Sequence, residues 1–115
     1  MEDKLIELLQ SICPIVIRQG SLGPNEPYPD TFFTFWNNDE NEQSAYDNDT
    51  VSVVYNFDVN CYSTDPTAAY ELLRNARKLL KQHGFVIPSR GYDVTSDENT
   101  HIGRGMNVLK LNYEN

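Results

Sequence analysis

From Thr50 to Tyr62 the chain reads TVSVVYNFDVNCY, and its alternation restricts the fold more than any other feature. Val51, Val53, Tyr55, Phe57, Val59 and Cys61 share one face, while Ser52, Val54, Asn56, Asp58, Asn60 and Tyr62 share the other. A two-residue period of this kind marks a half-buried strand. Its second face mixes Val54 and Tyr62 with polar residues, which suits solvent in one region and a covering partner in another. A second strand-like run, TFFTFWN from Thr31 to Asn37, carries Phe32, Phe33, Phe35 and Trp36. Aromatics on both of its faces imply that one builds the core, and that the other meets a partner or is covered by the same chain.

Between these runs, Asn37 to Asp49 holds five acidic residues and no basic one. The segment is expected to be a long hairpin loop, well beyond the usual two to five residues or so. Asp39, Glu40, Glu42, Asp47 and Asp49 repel one another and extend it, and Tyr46 offers an amphipathic anchor.

Helices are expected on either side. Leu5, Leu8, Leu9 and Ile12 line one face of an amphipathic helix from about Glu2 to Cys13, with Glu2 and Asp3 at its positive end. Pro14 ends it, and β-branched Ile15, Val16 and Ile17 fit a short strand. Gln19 to Asp30, with two glycines and three prolines, reads as an extended connector. Ser63-Thr64-Asp65-Pro66 is a helix start, with Asp65 as cap and Pro66 in the first turn. Ala69, Leu72, Leu73, Ala76, Leu79 and Leu80 form the stripe of that second helix, and Gly84 ends it. A local basic patch is expected at Arg74, Arg77, Lys78 and Lys81.

Beyond Gly84, Phe85 to Ile87 reads as a strand and Asp93 to Thr100 as a polar stretch. Met106 to Tyr113 reads as a final strand, buried on both faces for part of its length. Gly103 and Gly105 fit a bulge before it. The expected fold is therefore one α+β domain over residues 1–115, a mostly antiparallel sheet with two main helices packed on it. The order is helix-strand-strand-helix-strand-strand, with a short strand possible after the first helix.

Charge and motifs narrow the function. Seventeen acidic and nine basic side chains give a net charge of −8, which disfavours a phosphate-tracking surface on the chain as a whole. Cys13 and Cys61 have neither CxxC spacing nor a Cys/His cluster, so they read as buried thiols and not as a redox or zinc site. The acidic segment lacks the central glycine and terminal glutamate of a calcium loop. Gly103-Arg104-Gly105 is too short for a dinucleotide fingerprint and leads into a strand. His83 and His101 have no neighbours in a recognised catalytic spacing. No cofactor and no metal is expected. The opening residues lack a basic leader, with Glu7, Gln10 and Ser11 breaking the apolar stretch, so no signal peptide is expected; nor is a membrane span.

Four phrases read together, YPDTFFTFWNND, YNFDVNCYSTDP, KLLKQHGF and GYDVTSDENTHIGRGM, resemble the small tail-terminator, or tail-completion, proteins of long-tailed bacteriophages and prophages. The resemblance runs over nearly the whole chain and is nearest to the Gram-positive phage branch. It implies a binding protein and not an enzyme: a ring, commonly hexameric, that caps the tail tube, stops its growth and meets the head-completion or stopper protein. DNA then only passes through the channel. The place implied is the virion, at the tail-to-head interface, after assembly in the cytoplasm of the host bacterium. The family supplies no diagnostic residues by position. Interface candidates are therefore drawn from composition: Trp36, Asp39, Glu40, Glu42, Tyr46, Asp47, Asp49, Asp93, Asp97, Glu98 and Arg104. Two other functions compete: a small enzyme or ligand binder using His101 with Asp97 or Glu98, and an acidic protein-binding regulator that mimics nucleic acid.

Overall fold

A computed structural model describes residues 1–21, 26–43 and 51–114. Its elements are α1 (Glu2–Gln10), β1 (Val16–Arg18), β2 (Thr31–Gln43), β3 (Val51–Ser63), α2 (Pro66–Gln82), β4 (Tyr92–Val94) and β5 (Ile102–Glu114). The fold is α+β, with two helices and one five-stranded sheet in the order β1-β2-β3-β5-β4.

The alternating run forms the central strand as its period demands. Tyr55, Phe57, Val59 and Cys61 are buried on one face, with Phe33 and Phe35 from β2 and Met106 and Val108 from β5. Leu5, Leu8 and Leu9 of α1 and Leu73, Ala76 and Leu80 of α2 close the same core, and Phe85 and Ile87 fill its end. Both helices therefore cover one face of the sheet. Burial of each large side chain contributes about 1.5–3 kcal/mol, so this cluster is the principal source of stability.

Helix α2 begins and ends by local chemistry. Asp65 accepts a hydrogen bond from the Thr67 amide at 3.0 Å, and Pro66 occupies the first turn. At the other end Gly84 adopts φ +85°, which lets the Phe85 amide reach the Leu80 carbonyl at 3.0 Å and the Gly84 amide reach Lys81 at 3.2 Å. This glycine closure satisfies two otherwise unpaired carbonyls. Ser63, fully buried, links the cap to the sheet: its Oγ accepts from the Asp65 amide at 3.0 Å and lies 2.9 Å from Thr31 Oγ1.

Several expectations are corrected. Helix α1 stops at Gln10, not Cys13, because the Ser11 hydroxyl takes the Leu8 carbonyl at 2.6 Å and the Ile12 and Cys13 amides both turn back to Leu9. The sheet is mixed: three of its four strand pairings are antiparallel, as expected, and one is parallel. Strand β1 exists and runs parallel to β2, with Val16 beside Phe33 and Arg18 beside Phe35, since the long connector carries the chain back to start β2 alongside it. The order therefore includes an additional strand after α1. Phe85 to Ile87 supplies only a single bridge, Val86 to Leu109, and the strand after α2 is instead β4, which runs into the start of the polar stretch from Asp93 to Thr100.

The polar stretch expected as a loop is also partly strand. Asn37 to Gln43 continues β2, paired with β3 down to Gln43 beside Ser52, with a register shift between Asn37 and Asp39. Backbone pairing to a strongly β-forming partner overrides a solvent-facing composition. Strand β5 begins at Ile102 and is continuous through Gly103 and Gly105, with no bulge. The glycines serve close packing: a Cβ on Gly103 would lie 2.6 Å from Val94 Cγ2 and 2.7 Å from Tyr62 Cε1. Burial on both faces is confined to the start of β5, where Gly103, Gly105 and Met106 are all buried; farther along, Val108 is enclosed while Leu111 is 44% exposed.

Candidate functional site

The sheet is wider at one end than at the other. Strand β1 flanks β2 only from Phe33 to Phe35, and β4 flanks β5 only from Gly103 to Gly105. Past these short edges, β2, β3 and β5 continue as a three-stranded ribbon through Gln43, Ser52 and Tyr113. Among the described residues no strand lies beside Asp39–Gln43 or beside Lys110–Glu114. Each open edge presents unpaired backbone groups of the kind that another chain can pair with. The molecule is correspondingly elongated, with extents of 54 × 28 × 22 Å and a radius of gyration of 15.3 Å, against roughly 13 Å for a compact domain of this length.

The register shift determines where the acids point. Asp39 stands opposite Asn56, on the face away from the helices, whereas Glu40 opposite Tyr55 and Glu42 opposite Val53 share the helix face. Asn37 Nδ2 donates to Glu40 Oε1 at 2.7 Å, and Asn41 Nδ2 donates to Asp39 Oδ2 at 2.6 Å. Tyr46, Asp47 and Asp49 lie outside the described residues. On the outer face, Trp36 is 43% exposed with the Arg18 guanidinium 5.6 Å from its ring centroid, and Tyr113 is 71% exposed near the ribbon end. Phe32, by contrast, is covered by its own chain: it stacks on Tyr62 and meets Tyr28 and His101 edge-on.

His101 has a structural tie. Its Nε2 is 2.7 Å from the Pro29 carbonyl, which can only accept, so Nε2 carries the proton and Nδ1 accepts from the Thr100 hydroxyl at 2.9 Å. Both nitrogens are thus engaged away from the carboxylates of Asp97 and Glu98. Next to this cluster, a cavity of about 200 Å³ is lined in part by Tyr28, Thr34, Tyr62 and Asp97. Thr34 Oγ1 is buried there without a well-formed hydrogen bond. Burial, followed by the charges of Asp97 and Glu98, pushes the Tyr28 hydroxyl above its usual pKa; burial does the same for Tyr62, against an opposing hydrogen bond from Asn60.

A second cavity, about 390 Å³, lies between α2 and the side chains of Arg90 and, on β5, Arg104; it is lined by Tyr70, Leu73, Arg74, Arg77, Lys78, Arg90 and Arg104. Five of the nine basic side chains of an acidic protein therefore meet in one groove. The expected patch is partly right: Arg74, Arg77 and Lys78 line it, Lys81 does not, and Arg90 and Arg104 are brought in by the fold. Arg104 lies across Tyr70, 4.4 Å from the ring centroid, and pairs with Asp93 at 3.0 Å. Arg77 donates to the carbonyls of Ser89 and Ile87. Arg74, Lys78 and Arg90 are exposed and make no hydrogen bond or ion pair among the described residues. Of the sequence candidates, the structure places Arg104 in this groove with Asp93 paired to it from outside the lining, Glu40 and Glu42 together on the ribbon, and Asp97 and Glu98 apart from both.

The thiols are enclosed. Cys13 and Cys61 are both buried and unbonded to each other, and burial pushes the Cys61 thiol up to about 12, with Cys13 adding to the shift. No described helix is long and apolar enough to cross a membrane. No protein-family model matches the chain, and no curated protein matches it in sequence.

Proposed function

We propose that this protein is a phage structural component that assembles into a ring, caps the tail tube, ends its polymerisation and joins the tail to the head-completion proteins. The observation that carries this reading is the projecting three-stranded ribbon, both of whose edges are open among the described residues. A neighbouring copy or a tube subunit can extend the sheet by strand addition along such edges. The resemblance of its sequence phrases to tail terminators supplies the setting: a ring, commonly of six copies, traversed by DNA. The negative balance of the chain suits that passage, because phosphate contacts would slow the DNA. Function then lies in the virion, at the tail-to-head interface, and needs no turnover.

Light scattering of the protein alone and with its tail tube protein tests the proposal. The expected result is a closed oligomer in at least one condition and tubes that stop lengthening when the protein is added. A chain that stays monomeric in both and leaves tube growth unchanged refutes it.

A further inference from the structure

We infer that the basic groove between α2 and the Arg90 and Arg104 side chains is the socket for the acidic ribbon of a second copy of this chain, so that copies join head to tail. This rests on the ring proposed above and names its interface. Two surfaces on one chain are complementary but are not near each other. Arg104, at the groove, pairs across the sheet with Cys61, whereas Glu42 pairs with Val53, eight positions along the same strand. At about 3.3 Å per residue that is roughly 26 Å, too far for one copy to satisfy itself. A contact between different surfaces of identical chains is heterologous, and it closes into a ring when the rotation allows.

The spacing of the charges agrees. Glu40 and Glu42 are two apart on one face of a strand, about 6.7 Å. Arg74 and Lys78 are four apart on one face of α2, about 6 Å along the axis. The two pairs can therefore meet in register, with Arg90 beside them and Leu73 and Tyr70 as an apolar floor and wall. Arg77 and Arg104 are held by contacts of their own and shape the groove. The three other cations, which have no hydrogen bond or ion pair among the described residues, can take carboxylates. The cavity of about 390 Å³ accommodates two glutamate side chains. Copies of net charge −8 repel at a distance, but salt screens that repulsion beyond about 8 Å at physiological strength and leaves the contact pairs in place.

The test uses two double variants, both altering exposed side chains: Glu40→Lys with Glu42→Lys on the ribbon, and Arg74→Glu with Lys78→Glu in the groove. Self-association is read by light scattering, and zero-length carbodiimide coupling on a mixture of light and heavy isotope chains identifies bonds between copies. Each variant alone should associate about tenfold to a hundredfold more weakly than wild type. An equimolar mixture should recover, because reversed ribbon meets reversed groove. Wild type should give Lys78 bonds to Glu40 or Glu42 of another copy, with tube protein present if the free chain is monomeric. Rings that form unchanged in both variants overturn the socket while leaving the ring intact. A wild type that associates in neither condition ends both ideas. Absence of the coupling product, with binding of a DNA oligonucleotide lost in the groove variant, assigns the groove to phosphate and overturns the proposal.

Discussion

Gly103→Ala tests how the fold sets the β4 edge and, through it, the basic groove. An added methyl would lie 2.6 Å from Val94 Cγ2, 2.7 Å from Tyr62 Cε1 and 2.8 Å from the Val94 carbonyl oxygen. The first two atoms belong to side chains that can yield. The carbonyl belongs to β4 itself, paired with Gly103 at Val94, so relief requires the edge strand to move outward. Overpacking of this kind costs about 1–3 kcal/mol, while replacing a strand glycine recovers about 0.5–1 kcal/mol of chain entropy. The net expectation is a loss of about 1–2 kcal/mol, or a fall in Tm of roughly 4–8 °C. Because Asp93 travels with β4, its 3.0 Å contact to Arg104 should also lengthen. Urea titration gives the energy, and amide exchange at Tyr92 to Val94 gives the local opening. Ile102→Ala, next in sequence and exposed, is the control and should change stability by less than about 0.5 kcal/mol. Stability equal to wild type, with β4 amides still protected, would refute the close-packing role of the glycine.

Asp65→Ala removes the acceptor that caps α2 and should lower stability by about 1 kcal/mol in thermal melts, with the helix start fraying first. His101→Phe keeps the ring against Phe32 but loses the donor to Pro29, and should cost about 1–3 kcal/mol because a part-buried carbonyl is left unpaired. Between the ordinary thiol range near pH 9 and about 12, Cys61 is protonated in the folded chain and ionised in the unfolded one. The unfolded state gains, so stability should fall as pH rises through that window, by up to about 1.4 kcal/mol per pH unit from this group. The wild-type curve minus that of Cys61→Ala isolates it from the tyrosines, and parallel curves would contradict the buried thiol.

The parts of the fold that were legible in the sequence are those specified locally. The alternation from Val51 to Cys61 fixed a strand and its buried face, and Asp65-Pro66 and Gly84 fixed both ends of α2. The corrections fall where partners distant in sequence decide. Asn37 to Gln43 carries no apolar period, yet it is strand because β3 offers it a ladder. Strand β4 is three residues long, and the positions it covers on β5 include two glycines, which give no side-chain pattern to read. The direction of β1 depends on the path of the connector and on nothing within Val16–Arg18. The groove was half visible: Arg74, Arg77 and Lys78 recur at helical spacing, whereas Arg90 and Arg104 arrive through the tertiary fold. Likewise, nothing near Phe32 in sequence announces that His101 covers it.

The most direct test of the central claim is electron microscopy of phage particles assembled without this protein. A tube left uncapped should keep growing and fail to join, so the account predicts tails of irregular, excessive length beside DNA-filled heads. Infectious particles with tails of normal length, attached to heads, would contradict it.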